Sequence, residues 1–112
     1  MRPPTALANR SNGYSPVDLY RLAVFHTLVD EGTMSKAGDR LFISQPAVSA
    51  HIKALEGALG MPLFDRIGRR SVVNYAGRLL YRNAERLFSA ADDLAEAMED
   101  LRGTSSGTLG PG

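Results

Sequence analysis

The sequence contains no cysteine, no tryptophan and only two histidines. The absence of cysteine excludes a disulfide scaffold, a thiolate zinc site and a cysteine nucleophile. His26 and His51 are too few, and too far apart in the sequence, to form a histidine metal cluster. Apolar runs reach about four residues, whereas a membrane-spanning helix needs ~20. The N-terminus also lacks the apolar core of a signal peptide. We therefore expect a protein without a metal centre that is neither secreted nor placed in a membrane.

What is present is the composition of a small globular protein with an uneven charge distribution. The 112 residues, 44% of them hydrophobic, suit one compact domain or one small domain with an extension. Residues 34–86 contain nine basic and four acidic side chains, whereas residues 87–101 contain five acidic ones and no basic one. This pattern indicates either a body that faces a polyanion, with an acidic segment held away from it, or simply two solvated surfaces of different charge.

Four amphipathic segments and one short extended stretch lie between two segments without periodicity. Residues 1–15 and 103–112 are rich in residues that break helices and strands, which predicts a flexible leader and a flexible hinge. The first helix is predicted to begin at Ser15–Pro16, to run to about residue 30 and to be ended by Gly32. Its apolar face comprises Leu19, Leu22, Phe25, Leu28 and Val29.

Two shorter helices follow, joined by a tight turn. Thr33 is the predicted N-cap of the second helix. Ser44 is the predicted N-cap of the third helix, which has Pro46 in its first turn and ends at Gly60. The apolar positions recur with helical spacing. They are Met34, Ala37 and Leu41 in the second helix and Val48, Ile52, Leu55 and Leu59 in the third.

The stretch after the third helix has the pattern of a hairpin and then of a long helix. Apolar residues flank Gly68-Arg69-Arg70, which predicts two strands with a glycine and two arginines near their tip. Asn74 is the predicted N-cap of a helix that continues to about Arg102. A helix of about 28 residues reaches ~40 Å, more than a domain of this size needs for its own core.

The long helix carries a heptad repeat. Its apolar residues recur at alternating spacings of four and three, which is the seam of a coiled coil. The seam consists of Leu80, Ala84, Leu87, Ala91, Leu94, Met98 and Leu101. We expect this seam to bind a second copy of the chain; the alternative is one long helix folded back on its own domain.

Three helices and a hairpin that carries arginines make the plan of a mainly α, winged helix-turn-helix domain. It is predicted over residues 16–74, with the helix-turn-helix at about 34–53 and the wing at about 63–73, followed by a dimerisation helix over 75–102. In this plan the helix after the turn enters the major groove of DNA. The predicted base-facing residues are Gln45, Pro46, Ser49, Ala50, His51 and Lys53. The predicted phosphate-binding or capping residues are Thr33, Ser35, Lys36 and Ser44, and the wing residues are Arg66, Arg69 and Arg70.

The predicted DNA-facing side chains have suitable chemistry, although each also has a simpler explanation. Glutamine can form two hydrogen bonds with an adenine edge, and a helix N-terminus favours a phosphate. Arginines on a wing can follow the DNA backbone or enter the minor groove. Alternatively, Ser44 and Gln45 only cap a helix and the arginines only keep the hairpin tip soluble.

Two other classes of function are weighed against DNA binding. An enzyme is disfavoured because the sequence shows no nucleophile–base pair, paired carboxylates, metal ligands or phosphate-binding glycine loop. His26, beside Phe25, is expected to be a packed or half-exposed histidine. The remaining alternative is a winged helix used only for protein association, whose complexes would lack the steep salt dependence of DNA binding.

The motif SQPAVS at residues 44–49, followed by LE, LG, LFDR and then NYAG, carries a family resemblance. The stretch from Val17 to Gly77 resembles the N-terminal DNA-binding region of the LysR-type transcriptional regulators, and the heptad helix resembles their linker helix. Three positions depart from the family pattern: glycine stands at 38 where alanine is usual, asparagine at 74 where threonine is usual, and alanine at 50 where arginine is frequent. The glycine is expected to weaken the second helix by ~1 kcal/mol. Asparagine keeps the capping role, and the alanine removes a usual DNA contact.

The resemblance implies a homodimer, or a higher oligomer, that binds an interrupted inverted repeat in double-stranded DNA near promoters. It also implies a small-molecule inducer bound by a separate effector domain, to which residues 106–110 resemble the lead-in. No cofactor is expected within these residues. RNA polymerase is the further partner implied for the full-length protein, in the bacterial cytoplasm at the nucleoid and without membrane association.

Overall fold

The structure, a computed structural model, describes residues 17–104. It is mainly helical, with a two-stranded antiparallel hairpin between the third and fourth helices. The helices and strands are α1 (Leu19–Glu31), α2 (Met34–Leu41), α3 (Gln45–Leu59), β1 (Phe64–Ile67), β2 (Arg70–Val73) and α4 (Tyr75–Gly103). This order confirms the predicted winged helix-turn-helix followed by a long helix. None of the helices within the described range is long and apolar enough to cross a membrane.

The start of α1 differs from the prediction. Ser15 and Pro16 lie outside the described residues, and the cap of α1 is Asp18, whose Oδ1 accepts a hydrogen bond from the main-chain N–H of Arg21 at 2.8 Å. Asp18 has an extended backbone, and α1 begins at the next residue, Leu19. Aspartate and serine are comparable N-caps, and the structure uses the one that directly precedes the first helical residue.

The other predicted caps are confirmed. The Thr33 hydroxyl accepts from the N–H of Lys36, and the Ser44 hydroxyl accepts from the N–H of Ala47, each at 3.1 Å. Gly60 ends α3 in the left-handed conformation with φ 74°, where a side chain would be strained. These local signals fix the limits of α2 and α3.

The core lies between α1, α2 and α3, and it is extended by the residue that precedes the wing. Phe25, Leu55 and Leu63 are the largest fully buried side chains. Val24 is fully buried although it was absent from the predicted face, and Leu19, which belonged to that face, is 49% exposed. Because α1 packs against both α2 and α3, its buried face is wider than, and rotated from, a single stripe.

Gly38 has a structural role in the turn of the helix-turn-helix. A Cβ at this position would lie 2.7 Å from the main-chain oxygen of Ile43, closer than such contacts allow. The carbonyl of Gly38 in turn accepts a hydrogen bond from the Ile43 N–H at 3.0 Å. Glycine therefore allows α2 and the following turn to approach closely, which offsets the cost to helix propensity expected from the sequence.

The wing is a tight hairpin, as predicted. Ile67 pairs with Arg70, so its loop is only Gly68-Arg69, and Gly68 has φ 64°. Phe64, at the base of the wing, contacts Phe25 edge to face with 5.8 Å between ring centroids. This contact joins the wing to the core of the helical body.

Asn74 joins the base of the wing to the start of α4. Its Oδ1 accepts from the N–H of Gly77 at 2.9 Å, which confirms the predicted cap. Its side-chain amide donates to the carbonyl oxygen of Pro62 at 3.1 Å and to Oδ1 of Asp65 at 3.2 Å. Its main-chain N–H donates to the carbonyl of Leu63 at 3.0 Å. Asn74 thus forms hydrogen bonds with residues before the wing, within it and after it.

The chain divides into two compact units within α4, after Arg82. The first unit contains the helix-turn-helix, the wing and the first turns of α4. In the second, the large seam residues are exposed: Leu87, Leu94, Met98 and Leu101. Ala84 requires a correction, because it is fully buried in the single chain and its methyl group is not available to a partner. Self-association through the other seam residues stays a prediction.

Candidate nucleic-acid interface

One face of α3 carries polar side chains at a spacing of one helical turn. Gln45, Ser49 and Lys53 recur at every fourth residue and therefore share a face. Gln45 and Lys53 are exposed and Ser49 is half-buried, whereas the residues that hold α3 to the core, Val48, Ile52 and Leu55, are buried. Pro46 and Ala50 are exposed beside this polar stripe. The stripe is the surface that α3 offers to a ligand.

The polar stripe of α3, the start of α2 and the wing line one groove. The groove has a volume of about 860 Å³ and an open side. Its lining includes Thr33, Met34, Gln45, Ser49, Lys53, Arg66 and Arg70. Residues predicted separately as base-facing, phosphate-binding and wing residues are thus brought together by the fold.

The cationic side chains of the groove come from two elements. Lys53 on α3 and Arg66 and Arg70 on the wing are exposed. Two carboxylates also line the groove, but each accepts a hydrogen bond that supports the wing. Glu56 Oε2 accepts from the N–H of Leu63 at 2.7 Å, and Asp65 is bonded to Asn74. A groove with cations on both walls suits a phosphate chain.

The wing presents its three arginines differently. Arg66 lies opposite Ser71 and Arg70 lies opposite Ile67, so the two arginines are on alternate faces of the hairpin, and both reach the groove. Arg69 stands in the two-residue loop at the tip, exposed and outside the groove lining. Arg69 is therefore placed to reach beyond the groove.

The first turn of α2 adds two more exposed residues. Ser35 and Lys36 are exposed, and neither lines the groove. Thr33 lines the groove, but its hydroxyl already caps α2. A phosphate role for these three residues stays a prediction.

His51 requires a correction, because its imidazole faces α1 instead of the groove. Nε of Arg21 donates a hydrogen bond to His51 Nδ1 at 3.3 Å, across 30 positions of sequence. The ring of Tyr20 meets the imidazole edge to face, with 5.2 Å between centroids. His51 is half-buried and is absent from the groove lining. The predicted base-facing role does not fit this orientation.

Arg21 and Tyr20 were not identified from the sequence as the neighbours of His51. A signal for the orientation of His51 was nevertheless present. The residues one turn away from His51 on α3 are all apolar, which places it on the edge of the buried face: Ala47, Val48, Ala54 and Leu55. That pattern does not identify the partner, because α1 meets α3 only through tertiary packing.

Two polar contacts join α1 to neighbouring helices. Arg40 of α2 donates to Glu31 at 2.7 Å, and this hydrogen bond, followed by the charge of Glu31, raises the pKa of the Arg40 guanidinium. His26 stacks on Tyr81 with 4.4 Å between centroids and lies 3.4 Å from Asp30, so the expectation of a packed histidine is confirmed. Over residues 17–104 no group of three or more histidine, cysteine or acidic side chains is arranged to hold a metal ion.

Comparisons with known proteins agree with this geometry. The family model described as "Bacterial regulatory helix-turn-helix protein, lysR family" matches residues 19–78. A probable RuBisCO transcriptional regulator of Trichormus variabilis is 40% identical over 94 residues, which are 84% of this chain and 28% of that protein. An uncharacterized HTH-type transcriptional regulator of Azotobacter vinelandii is 43% identical over 93 residues, covering 83% of this chain and 65% of that protein. The chain thus spans less than a third of the first relative.

Solved structures extend the similarity to three dimensions. The DNA-binding domain of BenM in complex with benA site 1 DNA is 32% identical with a TM-score of 0.71, covering 76% of this chain and 99% of that one. The CbnR DNA-binding domain in complex with DNA is 27% identical with a TM-score of 0.70, covering 77% and 99%. Full-length BenM has a TM-score of 0.69 at 32% identity, covering 74% of this chain and 27% of that one.

Proposed function

The chain belongs to the lysR family of bacterial regulatory helix-turn-helix proteins, and from that premise we propose that it is the DNA-binding part of a sequence-specific transcriptional regulator. The observation that carries the proposal is the shared groove, in which the polar stripe of α3 and the wing arginines line one surface. Two similar domains are known in complex with DNA, which supports the same ligand here.

In the proposed complex, α3 lies in the major groove. Gln45 and Ser49 are then the side chains that read base edges, since glutamine bonds adenine through two atoms and a hydroxyl serves as donor or acceptor. Lys53 and the wing arginines neutralise phosphates and fix the register of the protein on the duplex. Ala50, with its short side chain, leaves the discrimination between bases to its neighbours.

The regulator acts as a dimer on an interrupted inverted repeat. The exposed large residues of the heptad seam support this, because they are apolar and recur on one side of α4. This chain covers only 28% of the first relative and 27% of full-length BenM, which supports a separate further domain in the whole regulator. The proposal assigns to that domain the binding of a small-molecule inducer, and to the whole regulator contacts with RNA polymerase near promoters. The proposed setting is the bacterial cytoplasm, at the nucleoid, and the proposed function includes no catalytic step.

Selection from a pool of randomised duplexes tests the proposal. The 112-residue chain should enrich a motif with two related half-sites, and its affinity should fall steeply with salt, by a log–log slope of about −0.9 for each phosphate neutralised. Lys53→Ala should make that salt dependence shallower, because one phosphate contact is lost. Ser35→Ala, outside the groove, should leave the enriched motif unchanged. A chain that self-associates but binds no duplex would instead be a protein-association module.

A further inference from the structure

We propose that Arg21 and His51 are a positioning pair that sets the rotation of α3 about its axis, and so the aim of Gln45 and Ser49 at base edges. The inference rests on the proposed DNA binding and concerns residues that would not touch DNA. The polar contact between the two side chains joins the first turn of α1 to the middle of the recognition helix.

Arg21 is held at both its main chain and its side chain. Its main-chain N–H is the donor in the Asp18 cap at 2.8 Å, which fixes the first turn of α1. Its guanidinium Nε then donates to His51 Nδ1 at 3.3 Å. The helix cap therefore fixes the backbone from which the donor side chain extends, and the donor contacts the imidazole.

His51 presents an acceptor nitrogen beside apolar neighbours on its own helix. Tyr20 covers the ring from α1 at a centroid separation of 5.2 Å. The side chains one turn before and one turn after His51 on α3 are apolar and offer the ring no charge. The Arg21 contact is thus a directional polar tie on this side of α3.

Such a tie adds a directional constraint on rotation to the packing of the core and to the Glu56 contact with Leu63. Apolar burial of Val48, Ile52 and Leu55 is non-directional, whereas a hydrogen bond requires a donor and an acceptor in defined geometry. Side-chain tips lie about 5–6 Å from a helix axis, so a rotation of about 10° moves them by ~1 Å. A displacement of ~1 Å exceeds the tolerance of a base-edge hydrogen bond. Phosphate contacts through long cationic side chains adapt to it.

Two variants of His51 test the pair on the duplex selected with the wild-type chain. His51→Leu keeps much of the bulk and removes the acceptor; it should lower affinity for the selected duplex by about five- to tenfold, as removal of one base-reading group does. Its affinity for random duplex should change by less than about twofold, because that binding rests on phosphates. His51→Asn, which restores an acceptor, should recover most of the loss although asparagine forms helices less readily than leucine.

A double-mutant cycle with Arg21→Met separates positioning from direct contact. If His51 acts through Arg21, His51→Leu should cause no further loss in the Arg21→Met background. An undiminished loss in that background, or no loss in the wild-type background, overturns the pair. Thermal unfolding of each variant checks that the fold is retained. A wild-type chain that selects no duplex refutes the proposed function itself, a result distinct from failure of the cycle.

Discussion

The hydroxyl of Tyr81, in the first turns of α4, donates a 2.5 Å hydrogen bond to Oδ1 of Asp30 near the end of α1. The other oxygen of the same carboxylate lies 3.4 Å from His26, whose imidazole stacks on the Tyr81 ring at an interplanar angle of 5°. Three side chains thus form one polar and aromatic cluster within the first unit of the chain. The cluster fixes the first turns of α4 against α1.

Tyr81→Phe should measure the polar part of that cluster. The substitution keeps the ring that stacks on His26 and removes only the hydroxyl, so we expect a loss of about 1 kcal/mol in the free energy of unfolding. Urea denaturation followed by circular dichroism measures it. Tyr75→Phe is the matched control, because Tyr75 is 69% exposed. Equal stability of the two variants would contradict a stabilising role for the Asp30 contact.

Gly38→Ala and Gly57→Ala should change stability in opposite directions. Both glycines are in helices, and intrinsic propensity alone favours alanine at each by up to about 1 kcal/mol. At Gly57 nothing lies within 4 Å of the added methyl, so the gain should be realised. At Gly38 the methyl would meet the Ile43 carbonyl at 2.7 Å, and we expect a loss of about 1–3 kcal/mol. Thermal denaturation of both variants measures this, and stabilisation of both would show that the turn relaxes freely.

Leu94→Glu should convert the proposed dimer into a monomer. Leu94 is 64% exposed in the single chain and occupies a seam position, so a partner helix would bury the new charge unpaired, at a cost of several kcal/mol. Sedimentation equilibrium reports the mass of the species in solution. Ser89→Glu adds the same charge away from the seam and should remain dimeric. A dimer that survives Leu94→Glu would assign association to another surface.

Replacing Arg69 and Arg70 together with alanine should weaken binding to selected and random duplexes alike. Both arginines are exposed on the wing, and phosphate contacts carry no sequence information. The log–log salt slope should become shallower by roughly one for each phosphate that the wing no longer neutralises. Fluorescence anisotropy at several salt concentrations measures both effects, with Arg102→Ala as a control that removes a cation outside the wing. A loss confined to the selected duplex would mean that the wing reads bases or groove shape.

Gln45→Ala should reduce the ratio of the affinity for the selected duplex to the affinity for random DNA. Gln45 is exposed at the first position of α3, and removing its base-reading amide should cost ~1–3 kcal/mol on the selected duplex and little on random DNA. Ala50→Arg should act conversely by raising affinity in general and adding a preference at one base position. Binding selections with both variants measure the change. If the Gln45→Ala profile matched the wild type, specificity would come from DNA shape.

Sequence patterns predicted the features of the fold that depend on interactions between residues close in sequence. The caps at Thr33, Ser44 and Asn74, the end of α3 at Gly60 and the hairpin with Gly68 near its tip all have short-range causes, and the structure confirms each. The groove itself is a product of tertiary packing, which brings the polar stripe of α3 and the wing together. Family resemblance to the LysR-type regulators added the function.

The incorrect predictions concern features that depend on tertiary packing. Two good N-caps stand three residues apart at Ser15 and Asp18, and a periodic pattern alone does not choose between them. Val24 is buried because α1 meets two helices at once. His51 turns toward Arg21, a partner 30 positions away that no spacing within α3 identifies.

Asn74 connects the base of the wing to the first turn of α4. Threonine, the residue that the family pattern leads one to expect there, would supply the cap but has no amide to donate to both Pro62 and Asp65. In this chain one side chain therefore bonds to Pro62, to Asp65 in β1 and to the first turn of α4. Because Glu56 of α3 also accepts a hydrogen bond from Leu63 at the base of the wing, a displacement of that base would strain its bonds to α3 and to α4 together.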